Sequence, residues 1–179
     1  MTALSESAKC QHEIATIRFA IRDSSLGLVL VAQSASGIRA VLLGDDRDAL
    51  RRDLQQRFPL DTLTESDAAL DALTAQVVSF VESPVRGLPA PLDMRGSDFQ
   101  REVWNALRDI PPGSTTTYTD IACRIGRAKS VRAVAQACAA NPLAVVVPCH
   151  RVLRRNGQLA GYRWGVERKR ELLAREAAT

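Results

Sequence analysis

A chain of 179 residues with 46% apolar residues can bury one large core or two small ones, and no stretch of it approaches the roughly 20 apolar residues of a membrane span. Its polar opening, MTALSESAKCQHE, lacks the apolar centre of a secretory signal, so a cytoplasmic location is expected. Four cysteines (Cys10, Cys123, Cys138, Cys149) without a CxxC pair, beside only two histidines (His12, His150), argue against a structural zinc site; free thiols, no metal and no cofactor are expected.

The charge is uneven. Residues 1–96 hold 10 Lys/Arg against 13 Asp/Glu, a net of −3, and residues 97–179 hold 14 against 7, a net of +7. A basic half joined to a mildly acidic one suggests a polyanion partner for the C-terminal half, most often nucleic acid, although a well-solvated surface gives the same balance. Most of the cations in that half are arginines, whose planar forks suit phosphates.

In chain order, Ile17, Phe19 and Ile21 alternate with polar residues as in a half-buried strand, and Asp23 to Gly27 carries turn residues. A second strand over Leu28–Val31, a turn over Ser34–Gly37 and a third strand over Ile38–Leu43 complete a β-meander. Leu50, Leu54 and Phe58 predict a helix stopped by Pro59, and Leu70, Leu73, Val77 and Phe80 a second one. Pro84, Pro89 and Pro91 mark a connector, which divides the chain into an α/β domain over 1–95 and a mostly helical domain over 96–179.

In the second half, Phe99, Val103, Leu107 and Ile110 line one helix face ahead of Pro111-Pro112-Gly113. Thr117 and Asp120 have capping-box spacing for a helix with Tyr118, Ile121, Ala122 and Ile125 inward and Gly126 as terminator. Ser130 is the expected N-cap of the next helix, which buries Val131, Val134, Ala135 and Cys138, exposes Arg132 and Gln136, and ends at Asn141-Pro142. Two short helices joined by a tight turn, the second with a basic outer face, form a helix-turn-helix pattern. Asn156-Gly157 signals a hairpin carrying Arg154 and Arg155, read as a wing, and Val166 to Ala177 closes the chain as a charged helix.

The sharpest feature is Pro148-Cys149-His150-Arg151-Val152, directly after Val145-Val146-Val147. The valine run predicts a buried strand that the proline ends, with Cys149 held rigidly at the edge of the core and an imidazole beside it to help form a thiolate. Cys123 and Cys138 read as core thiols, and no role is assigned to Cys10 or His12. A reactive thiol beside a DNA-reading helix suggests thiol chemistry on nucleic acid, with the base drawn out of the stack to reach it.

These segments, FQREVWNALRDIPPG, TTYTDIA, VRAVAQACAANPLAVVVPCHRV and GYRWGVERKRELL, resemble in order the catalytic domain of the O6-alkylguanine-DNA alkyltransferases, the methylated-DNA–protein-cysteine methyltransferases, and most of all the C-terminal half of the bacterial adaptive-response members. The N-terminal half is similar to the small RNase H-like domain of that family. The resemblance implies an RNase H-like domain followed by a winged-helix-like domain with a helix-turn-helix, and single-turnover transfer of a methyl group from O6-methylguanine or O4-methylthymine in double-stranded DNA to the protein's own cysteine.

By the same resemblance Cys149 is the alkyl acceptor, His150 the base acting through a bound water, Glu176 the group that orients the imidazole, and Tyr118 a donor to guanine. Arg132 is the finger that fills the gap left by the flipped base, and Asn141 braces the turn before Cys149. Val152, Tyr162 and Arg163 line the guanine pocket, while Ser130, Gln136 and Arg154 meet DNA. The resemblance also implies minor-groove docking with weak sequence preference, by a monomer.

Two departures stand out. The four-cysteine zinc module of the adaptive-response proteins is not in this sequence, which fits a stand-alone protein or a fragment of a longer regulator equally. Arg163-Trp164 replaces the smaller residues of some relatives, which bears on the tolerance for bulky alkyl groups. The alternatives are a winged-helix regulator or lesion sensor that transfers nothing, and a Cys-His hydrolase, against which the placement of Cys149 and His150 as neighbours on an extended strand argues.

Overall fold

The structure is a computed structural model describing residues 14–84 and 87–178; Cys10 and His12 lie outside the described residues. Ile17, Phe19 and Ile21 point inward along β1 (Thr16–Ser24), but Ala20 is buried too, so this strand is covered on both faces rather than half-buried. Tight turns lead into β2 (Gly27–Ser34) and β3 (Gly37–Gly44), each antiparallel to its predecessor. Gly27 takes the left-handed turn conformation at φ 92°, and the Ser24 hydroxyl donates to its carbonyl at 2.7 Å.

Asp46 opens α1 (Arg47–Arg57) by accepting the Ala49 N–H, and Leu50 and Leu54 bury the face of the helix that packs on β3. A strand not expected from the sequence follows: β4 (Thr62–Glu65) pairs in parallel with β1, giving a mixed sheet of order β3-β2-β1-β4. The next helix, α2 (Asp67–Glu82), lies against β1. Arg39 is buried between Asp93 at 3.1 Å and Asp61 at 3.6 Å, so strand, pre-β4 loop and connector are tied by one guanidinium.

The second half packs three helices together: α3 (Asp98–Arg108), α4 (Tyr118–Arg124) and α5 (Val131–Ala140). Capping boxes open α3 (Ser97 with Gln100) and α4 (Thr117 with Asp120), the second as the spacing predicts. Gly126 ends the α4 region at φ 70°. The Trp104 indole donates to the Ala137 carbonyl at 2.9 Å and locks α3 to α5. A short parallel pair, β5 (Thr116–Thr117) with β6 (Val152–Leu153), and α6 (Val166–Ala177) complete the chain. The buried apolar cluster runs from the sheet (Val41, Leu42) through Leu143 and Val147 to α3 and α5. Among the described residues, no helix is long and apolar enough to cross a membrane.

Several expectations need correction. Val145-Val146-Val147 is not a strand: Ala144 to Val146 form a turn, with Val145 at φ 66°, and Cys149–Arg151 is one turn of 3-10 helix. Only Leu143 bridges to the sheet, beside Val41 on β3. An apolar run of this length does not distinguish a strand from any other buried segment, and the left-handed residue breaks the extended path.

The predicted wing is a turn without flanking ladders: Arg154 N–H donates to Gln158 O at 3.0 Å, and no strand follows. Ser130 stands at the N-cap of α5 but makes no side-chain cap bond. In α5 the buried residues are Val134, Ala137 and Cys138, while Val131 and Ala135 are half-buried. Cys123 is exposed, so it is not a core thiol.

Candidate active site

The turn at Ala144–Val146 and the following 3-10 turn place Cys149 at the floor of a cavity of about 310 Å³, with only 5% of the residue exposed. Tyr118, Cys138, Tyr162 and Arg163 are among its walls. Asn141, fully buried at the end of α5, ties the turn together: its amide nitrogen donates to Val147 O at 2.8 Å and reaches Cys149 Sγ at 3.4 Å, while its oxygen accepts Leu143 N–H at 2.9 Å. Burial pushes the Cys149 thiol up; the Asn141 amide and then the Lys169 ammonium pull it back.

Beside it, His150 Nε2 lies 2.8 Å from Glu176 Oε1, both side chains fully buried. Burial holds the imidazole below its ordinary pKa, against the opposing pull of Glu176, so the ring is neutral near pH 7. A carboxylate can only accept, so Nε2 carries the proton and Nδ1 presents a lone pair. Among the described residues, Nδ1 has no hydrogen-bond partner, Cys149 included.

Glu176 is itself clamped. Arg151 donates from Nε (2.9 Å to Oε2) and from Nη2 (2.8 Å to Oε1), and from Nη1 to Ile110 O at 2.5 Å. Burial would raise the Glu176 carboxyl, but the hydrogen bonds from His150 and Arg151 overcome it and hold it at about 2.

The phenols are held in the neutral form. Tyr118, half-buried at the start of α4, is pushed up to about 12 by burial and by the nearby thiols, Cys138 first and then Cys149. Burial also raises Tyr162, whose hydroxyl has no partner among the described residues and whose ring meets His150 edge-on at 6.4 Å.

The structure brings Cys149, His150, Glu176, Asn141, Tyr118, Tyr162 and Arg163 to one place. Val152 is buried but is not a cavity wall. Arg132 and Gln136 are exposed on the outer face of α5 and Ser130 stands half-buried at its start, all away from the cavity walls; Arg154 is exposed, with its charge felt by Tyr118. Sequence reasoning missed Arg151, Lys169 and Asp53. Asp53 on α1 binds Arg163 at 2.6 Å, so a residue of the first half holds a wall of the cavity. The sequence reading assigns Arg151 and Lys169 no role, though Lys169 shares a helical face with Leu172 and Glu176.

Residues 98–178 match the model of the 6-O-methylguanine DNA methyltransferase, DNA binding domain family. A methylated-DNA–protein-cysteine methyltransferase of Methanosarcina acetivorans is 34% identical over 160 residues, covering 89% of this chain and 98% of that protein. The chain therefore belongs to the methylated-DNA–protein-cysteine methyltransferase family. It is 50% identical over 161 residues to the bifunctional transcriptional activator/DNA repair enzyme Ada of Escherichia coli, covering 90% of this chain and 46% of Ada, so it spans about half the length of that relative. The crystal structure of Mycobacterium tuberculosis OGT in complex with DNA superposes with a TM-score of 0.71 at 33% identity, covering 90% of this chain and 93% of that one.

Proposed function

We propose that this chain repairs alkylated DNA by moving the alkyl group from O6 of guanine, or O4 of thymine, onto Cys149 in a single turnover. The observation that carries the reading is the placement of the Cys149 sulfur at the floor of the cavity, next to a buried His150–Glu176 pair whose Nδ1 is free to take a proton. Nδ1 does not bond the thiol directly, so the proton travels through a bound water. The sulfur lone pair then forms the S–C bond as the C–O bond breaks toward guanine. The base leaves as an anion, and Tyr118, whose phenol keeps its proton, donates to it. A thioether has no route back to the thiol, so one molecule of protein is consumed per lesion.

Within this reading, residues 1–95 are an RNase H-like unit and residues 96–179 a winged-helix-like unit that docks in the minor groove of double-stranded DNA, as a monomer in the cytoplasm. Ser130, Arg132, Gln136 and Arg154 meet the duplex there. The placement of Ser130 at the start of α5, of Arg132 and Gln136 on its exposed face and of Arg154 on the exposed turn after β6, with the +7 balance of residues 97–179, supports this. Arg132 fills the space of the flipped base, Asn141 braces the turn under Cys149, and Tyr162 and Arg163 bound the guanine pocket, with Val152 buried outside its walls. The hydrolase reading loses its strand-based objection, but the absence of a direct thiol–imidazole hydrogen bond weighs against it.

The test is intact-protein mass after incubation with duplex DNA carrying O6-methylguanine. One added methyl group per chain, on Cys149, is expected; no mass change with the lesion intact would overturn the reading. Arg132→Ala is expected to slow repair in duplex DNA by about 10²-fold or more, the scale on which lost positioning slows a reaction, and to leave the reaction with free O6-benzylguanine nearly unchanged. Equal slowing of both would remove the finger role.

A further inference from the structure

Two backbone groups of one loop hold the ion pair behind His150. Arg151 Nη1 donates to Ile110 O at 2.5 Å, and Gly113 N–H donates to Glu176 Oε2 at 3.3 Å. The loop thus offers an acceptor to the guanidinium and a donor to the carboxylate, matching the pair in sign. It does so by turning sharply. Ser114 N–H donates to Pro111 O at 3.2 Å, Pro112 and Gly113 stand at the centre of the turn, and Gly113 takes φ 74°. Proline second and glycine third is the sequence of a turn whose third residue needs a positive φ. Glycine is required for a further reason. A Cβ at position 113 would stand 3.2 Å from the backbone oxygen of Glu176. The atom it meets is main chain of α6 and cannot swing aside, so a side chain at 113 presses on the residue that orients His150.

We propose that Gly113 is a positioning residue for alkyl transfer: its bare α-carbon lets the loop close on Glu176, so that the proton acceptor and Tyr118 are set in register by one backbone segment. The proposal rests on the repair reading, in which His150 takes the thiol proton and Tyr118 donates to the leaving base. The segment runs from Ile110 through Gly113 into β5, which pairs with β6 directly after the 3-10 turn of Cys149, and then into Tyr118 at the start of α4. It is therefore tied to the reacting groups at Arg151, at Glu176 and at Val152–Leu153. Gly113 itself is not a wall of the cavity. It acts through Glu176, whose Oε2 it holds and whose Oε1 meets His150 Nε2 at 2.8 Å. A shift of a few tenths of an ångström in the Glu176 backbone lengthens that contact and loosens the tautomer in which Nδ1 is bare.

The experiment compares Gly113→Asn with the unmodified full chain in single-turnover methyl transfer from duplex DNA carrying O6-methylguanine, and records the imidazole nitrogen resonances of His150 in the same samples. Asparagine tolerates a positive φ, so this variant keeps the turn and adds a side chain. Transfer is expected to slow about tenfold, a fraction of the loss that an ångström of misplacement causes. The His150 resonances are expected to move from the single Nε2-protonated tautomer toward a mixture. Gly87→Ala, also at positive φ (69°) but with nothing described within 4 Å of the added Cβ, is expected to transfer at the unmodified rate. An unmodified rate or an unmoved tautomer in Gly113→Asn would overturn the proposal, and so would equal slowing in Gly87→Ala. Should Gly113→Asn not fold, the Gly113 amide of the unmodified protein decides: protection from hydrogen exchange is expected, and free exchange is disproof. A tautomer mixture in Gly113→Asn, with no methyl transfer by the unmodified protein, would sink the repair reading and leave the hold of Gly113 on Glu176 standing.

Discussion

Cys149→Ala is expected to abolish alkyl transfer while leaving DNA binding unchanged. The sulfur sits at the floor of the cavity and takes no part in the exposed face of α5, so its removal leaves the proposed DNA contacts in place. The loss of stability is small, about 1 kcal/mol, because one buried sulfur and one long amide contact at 3.4 Å disappear. Cys138 shares the cavity but cannot take over: burial pushes its thiol far above neutrality, and the Asn141 amide reaches Cys149 instead. Intact mass with methylated duplex, beside an electrophoretic binding assay, checks both halves. A methyl group appearing on the variant would relocate the nucleophile.

Glu176→Gln is expected to affect rate and stability together. The amide can no longer hold the imidazole as a proton-accepting Nδ1 tautomer with the same force, and loss of an oriented base costs roughly 10²–10⁴-fold in transfer rate. It also removes the counter-charge of the buried Arg151 guanidinium, leaving it Ile110 O and one amide oxygen as neutral acceptors, and breaking such a pair costs about 3–5 kcal/mol. The pH dependence has a definite sign. Glu176 titrates at about 2 in the fold, below the ordinary carboxyl value of roughly 4.3, so its contribution is complete above the unfolded value and is lost as pH falls toward 2. Melting curves from pH 7 down to pH 2 should therefore fall more steeply for the unmodified protein than for the variant across that acid window. Parallel slopes would mean that the Arg151–His150–Glu176 cluster does not carry this stability.

Most of the framework could be read from periodicity and punctuation. The meander, α1, α2 and the three packed helices announce themselves by apolar spacing, and the Thr117–Asp120 box marks the start of α4 to the residue. What escaped has physical reasons. β4 is four residues long and mostly exposed, with no apolar alternation to betray it. The valine run before Pro148 has the composition of a strand, yet one left-handed residue at Val145 turns it, and no local propensity announces that conformation at a β-branched side chain. Cys149 and His150 were legible as a pair because their chemistry is rare. Arg151 and Lys169 were not, because a charged residue is usually at the surface and only tertiary contacts pull these two inside. The link from Asp53 to Arg163 spans 110 residues, a distance over which sequence pattern is silent.

The outer edge of β3 is not bare: Val41 exchanges hydrogen bonds with Pro142 O and Ala144 N–H, and Ile38 does the same with Pro91 O and Asp93 N–H. The opposite edge is β4, short and carrying Thr62, Thr64 and Glu65 outward. A sheet whose outer long strand is capped sideways at Ile38 and Val41, and whose other rim is a four-residue strand with three polar residues, offers little template on which a second molecule's backbone can nucleate a ladder. The peptide that delivers the cysteine thus also shields the sheet from self-association, so loosening the Asn141–Ala144 turn would be expected to raise the tendency to aggregate as well as to disturb the sulfur.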